Sequence, residues 1–91
     1  QSSKLSALNQ LMMLAKAWNT FDGFKLDWED TDQYKYYPLF KFINGKFEFS
    51  KVSYGQIILD PHISSFSFKT RERAEQFGKQ FIDLFRIAST N

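Results

Sequence analysis

The spacing of apolar residues divides the chain into segments. From Leu5 they recur at helical intervals, as Leu5, Leu8, Leu11, Met12, Ala15 and Trp18, while Lys4, Asn9, Gln10 and Lys16 fall largely off that stripe. Ser2 or Ser3 is placed to cap the start and Asp22-Gly23 to end it, which predicts a helix reaching about Asn19. A second stripe, Ala74, Phe77, Gly78, Phe81, Leu84, Phe85 and Ala88, predicts a closing helix that Thr70 caps and that ends before Thr90. Glu72 in its first turn suits the positive end of the helix dipole. Between Lys25 and Asp32 no period holds, and this acidic stretch reads as a loop with Trp28 pinned inward.

The middle of the chain alternates instead. Asn44-Gly45 stands between Leu39-Phe40-Lys41-Phe42-Ile43 and Lys46-Phe47-Glu48-Phe49-Ser50. Asn-Gly favours the type I′ turn, whose two central residues take positive φ, so the segment predicts a tight antiparallel hairpin. A two-residue turn sets Ile43 opposite Lys46, Phe42 opposite Phe47, Lys41 opposite Glu48 and Phe40 opposite Phe49. Phe40, Phe42, Phe47 and Phe49 then share one face, and a slip of one residue would turn all four into water. Pro38 cannot donate to a ladder and belongs at a strand start or on an edge.

Two further strands are expected, Gln56-Ile57-Ile58-Leu59 before Asp60-Pro61, and Ser64 to Lys69 with Phe66 and Phe68 inward. The order predicts one α+β domain over residues 1–91. Its sheet has three or four antiparallel strands, includes the Asn-Gly hairpin, and carries both helices on one face.

Composition sharpens this reading. A chain of 91 residues holds one core. Of its residues 19% are aromatic, and Phe, with 11 copies, dominates; Phe has no polar handle, which assigns most rings to the core. A net charge of +2 is too small to point to a polyanion. The absence of cysteine leans toward the cytoplasm, and no apolar run approaches the ~20 residues of a membrane span. The chain begins at Gln1 rather than Met, which leaves room for a missing natural start.

Catalytic chemistry finds little support. No cysteine nucleophile exists, and the single histidine, His62, follows a proline in an expected loop. Asp27, Glu29, Asp30 and Asp32 lack the Gly and closing Glu of a calcium loop, so they read as a solvated turn, with no metal and no cofactor implied. The glycines are scattered, without a phosphate-binding run. Tyr34-Lys35-Tyr36-Tyr37, with Lys41, Lys46 and Lys51 beyond it, mixes stacking rings with cations as single-strand nucleic-acid binders do. Against that, the Phe face is needed for the core and Glu48 interrupts the lysines.

Four stretches carry a resemblance: Phe24 to Trp28, Tyr34 to Phe40, Phe66 to Glu72, and Ala74 to Phe85. In these the chain resembles a family of small proteins from Bacteroides-type gut bacteria and their prophages, over about two thirds of its length. Leu26 departs from the family, which often has Pro there, and relatives tend to start with a longer N-terminal segment. The resemblance implies a phage- or mobile-element-associated intracellular protein, and it transfers no activity and no site residue. The resulting expectation is a non-enzymatic accessory domain that binds a protein partner or itself. Trp28, Tyr34, Lys35, Tyr36 and Tyr37 form its candidate surface, since loops carry binding more often than regular elements. A nucleic-acid module using Tyr34 to Tyr37 is the alternative, and a metal-dependent enzyme built on Asp27 to Asp32 a third reading.

Overall fold

The computed structural model describes residues 3–56 and 66–89. Among these, three helices accompany a two-stranded antiparallel sheet: α1 (Ser3–Phe21), β1 (Lys35–Ile43), β2 (Lys46–Gly55), α2 (Arg71–Gln80) and α3 (Ile82–Ala88). Helix α1 buries Ala7, Leu11 and Ala15. It runs two residues past the expected Asn19 because Gly23, at φ 66, closes it. Gly23 N donates to Thr20 O at 3.1 Å and Phe24 N to Asn19 O at 2.8 Å, the paired bonds of a glycine-terminated helix.

Strands β1 and β2 meet across Asn44 and Gly45, whose φ values of 52 and 77 are both positive. Ile43 faces Lys46, Phe42 faces Phe47, Lys41 faces Glu48, and Phe40 faces Phe49. Beyond Phe40 the register shifts: Leu39 faces Lys51, so Ser50 has no opposite residue. This bulge returns Val52 and Tyr54 to the face that holds Phe47 and Phe49.

Two strand expectations need correction or fall outside the description. Ile57 to Leu59 lie outside the described residues, as do His62, Ser64 and Ser65. Within the remainder of the Ser64–Lys69 segment a single bridge forms, with Tyr36 N donating to Phe68 O at 3.1 Å and Phe68 N to Tyr36 O at 2.7 Å. Two residues along, Pro38 offers no N–H to continue a ladder. The expected alternation also fails, because Ser67 is buried along with Phe66 and Phe68.

The closing helix is two helices. Phe81, at φ −109 and ψ 29, leaves helical geometry between α2 and α3. Its N–H still donates to Phe77 O at 3.1 Å and its carbonyl accepts from Leu84 N at 3.0 Å, so the chain changes direction while its backbone groups stay paired. The break splits the duties of the segment. Helix α2 packs on both strands, while α3 is the main partner of α1. The expectation of two helices side by side on the sheet therefore holds for α2 alone: α1 reaches the core chiefly through α3.

Gly78 sets the distance between α2 and the sheet. A Cβ there would lie 2.7 Å from Pro38 Cβ, 3.3 Å from Phe49 and 3.4 Å from Phe40. Aromatic rings fill the space around this contact. Trp18 meets Phe77 edge-on at 5.1 Å and Phe81 at 5.7 Å, and Phe85 touches Phe40 at 4.6 Å and Phe66 at 5.5 Å. Asp22 and Arg73 tie the end of α1 to α2, with Nε to Oδ2 at 2.8 Å and the guanidinium 4.2 Å from the Trp18 ring centre. No described helix is long and apolar enough to cross a membrane.

Candidate functional site

The five residues singled out from sequence do not form one surface. Alternation along β1 puts Tyr36 on the α2 side of the sheet and Lys35 and Tyr37 on the other. Tyr37 lines a cavity of about 520 Å³ with Leu8, Leu39, Phe40 and Phe85, away from Tyr36.

Lys35 is fully buried, at 0% exposure. Its Nζ donates to Asp30 O and Gln33 O, both at 3.2 Å, and to Gln56 O at 3.4 Å. The same ammonium sits 5.1 Å from the centre of the Trp28 ring. Three carbonyl dipoles and a ring face thus replace its water, and this cation binds the 27–33 loop to the ends of β1 and β2. Trp28 is not pinned inward: at 43% exposure it lies over the lysine as a half-open lid.

The acidic residues beside Trp28 build their own loop. Asp27 Oδ1 accepts from Glu29 N at 3.0 Å and Asp30 Oδ1 from Asp32 N at 2.9 Å. Short Asx turns of this kind shape backbone. Gln33 completes the loop, accepting from Asp27 N at 3.0 Å and donating to Lys25 O at 2.8 Å. Among the described residues no group of three carboxylate, His or Cys side chains converges as a metal site would require.

What the fold does assemble is a tyrosine cluster at the open end of the hairpin. Tyr34 stacks on Tyr36 at 6.4 Å and on Tyr54 at 5.7 Å, and Tyr36 meets Tyr54 at 5.8 Å. Tyr34 and Tyr54 remain 47% and 53% exposed. Arg71, the first residue of α2, places its guanidinium 5.7 Å from Tyr36 and 5.6 Å from Tyr54 while Nη1 donates to Val52 O at 3.1 Å. Thr70 fixes that arginine by capping α2, its Oγ1 accepting from Arg73 N at 3.1 Å.

Tyr54 and Arg71 were not among the residues marked from sequence. A hairpin continued in the register of its turn would set Tyr36 opposite Ser53, and only the extra residue at Ser50 brings Tyr54 across. A trace of this is visible in the chain: Phe47, Phe49, Val52 and Tyr54 are spaced two, three and two apart, and the three marks the bulge.

A second cavity, of about 560 Å³, lies between α1 and the 23–26 turn, bounded by Met12, Ala15, Asn19, Phe24 and Leu26. No protein-family model, curated protein or solved structure matches the chain.

Proposed function

We propose that this domain is a non-enzymatic accessory module that binds a protein partner through the Tyr34–Tyr36–Tyr54 cluster and Arg71. One observation carries the reading: an aromatic cluster at the mouth of the hairpin whose Tyr34 and Tyr54 rings stay half-exposed beside the Arg71 guanidinium. Tyr and Arg are the residues that concentrate binding energy at protein interfaces, because they offer large rigid area with a polar rim. The cluster rests on strands and a capped helix, so its rings are ordered before a partner arrives. The family resemblance supports an intracellular, phage- or mobile-element-associated setting.

Nucleic-acid binding has less support. The cation inside the Tyr34 to Tyr37 segment is Lys35, and its ammonium is spent on carbonyls. The deciding experiment is affinity capture from a bacterial lysate, with and without nuclease, using wild type and the Tyr34→Ala/Tyr54→Ala variant. Partner proteins that survive nuclease and are lost with the folded variant support the proposal. Retention unchanged by the variant overturns the assigned surface. Loss on nuclease treatment, with oligonucleotide affinity falling steeply in salt, replaces it with the nucleic-acid reading.

A further inference from the structure

The two outer edges of the sheet are unequal. On β1, Tyr36 directs its N–H and C=O outward to Phe68, and Pro38 removes the next donor. That edge is blunted in the ways sheets commonly use to avoid further pairing. Across the register the outward positions of β2 are Phe47, Phe49, Val52 and Tyr54. Val52 O also accepts from Arg71 Nη1 at 3.1 Å, as suits a carbonyl that the register turns away from β1. Among the described residues no strand pairs with this edge of Lys46–Gly55.

We propose that the β2 edge pairs with the β2 edge of a second copy of the chain, making one continuous antiparallel sheet of four strands about a two-fold axis. One register satisfies the backbone. It sets Phe47 opposite Tyr54 and Phe49 opposite Val52 of the second copy, so outward groups meet outward groups at every step. The bulge is what makes this possible. The outward residues Phe49 and Val52 are separated by Ser50 and Lys51 on both copies, so each irregularity lies opposite its own symmetry mate. Val52 O keeps a second lone pair for the new bond while Arg71 holds the first.

The side chains agree with the register. On the α2 side, exposed Tyr54 packs beside Phe47 of the second copy, a favourable cross-strand aromatic pair. On the opposite side, Glu48 faces Ser53 of the second copy and lies diagonal to its Lys51, within reach of a long side chain. Among the described residues neither Glu48 nor Lys51 takes part in an ion pair. The two-fold axis makes that complementary contact twice.

Sedimentation equilibrium of the full chain tests the pairing. A concentration-dependent dimer is expected. Lys51→Glu and Glu48→Lys should each weaken it by about tenfold, and the double reversal should restore it. A chain that stays monomeric up to ~1 mM, or a dimer indifferent to both single reversals, overturns the proposal. A second measurement is independent of affinity. Glu48→Cys/Ser53→Cys places thiols that lie roughly 16 Å apart within one strand but directly opposite between copies. Since the chain has no other cysteine, mild oxidation should give a covalent dimer. Failure to cross-link, or equal cross-linking of an Asn9→Cys control on the exposed face of α1, overturns it.

Discussion

The middle and the open end of the hairpin are both built from aromatic residues, and they behave in opposite ways. In the middle, Phe40 and Phe49 lie beneath α2, which approaches closely because Gly78 has no side chain. At the open end Tyr34, Tyr36 and Tyr54 stack on one another under a guanidinium and stay half-wet. Ring content alone does not separate core from surface. The separation comes from what covers the ring and from whether it carries a hydroxyl that water can satisfy.

Substitutions at the two sites should differ in kind. The largest loss is expected at the fully buried Phe77, which touches Trp18, Phe68, Phe81 and Phe85. Phe77→Ala should remove about 4 kcal/mol in urea denaturation, enough to unfold much of the population of a domain this small. Gly78→Ala comes next. The alanine improves helix propensity by ~1 kcal/mol but drives a methyl against Pro38, and the net loss should be about 2 kcal/mol. A stabilised Gly78→Ala protein would mean that α2 can lift from the sheet.

The open end has one stability element of its own. Lys35→Met keeps the apolar stem and deletes the ammonium, leaving the Asp30, Gln33 and Gln56 carbonyls without their donor. A loss of about 1–2 kcal/mol is expected, with faster proteolysis confined to the 27–33 loop. The smallest effect on stability belongs to Tyr34→Ala, below about 0.5 kcal/mol by thermal melt, since a half-exposed ring loses little burial. Partner capture should fall in that variant even so. A Tyr34→Ala protein that melts as early as Gly78→Ala would erase the contrast between the two ends.

Much of the fold could be read from the chain because local chemistry and periodicity agreed. Asn44-Gly45 dictates positive φ twice and so fixes which residues oppose each other near the turn. The stripe from Leu8 to Trp18 and the Thr70 cap mark helices for the same reason. What escaped depends on tertiary contacts. Phe81 satisfies the apolar period yet breaks the helix, because the segment serves two partners, the sheet before the break and α1 after it. Lys35 reads as a solvated cation between tyrosines, and only the folded loop brings three carbonyls to it. Trp28 was expected inside because large rings usually are, but here the lysine beneath it takes the buried place. Of the tyrosines marked in the chain, Tyr34 and Tyr36 stack on each other and Tyr37 belongs to the other side of the sheet, while Tyr54, not marked, reaches the stack only through the bulge.

The unpaired Ser50 acts on the strand as a phase shift acts on a wave. Upstream of it odd-numbered residues of β2 look toward α2, and downstream even-numbered ones do. Removing that one exposed serine would restore a single phase through Gly55. Val52 would still face α2 opposite Pro38, and Tyr54 would still lie opposite Tyr36, so the deletion straightens the strand and leaves these pairings in place. The bulge therefore absorbs a surplus residue: a regular ladder that kept Ser50 would set Lys51 opposite Pro38 and Ser53 opposite Tyr36. Ser50 should accept almost any polar replacement, and deleting it should keep Val52 and Tyr54 on the α2 face.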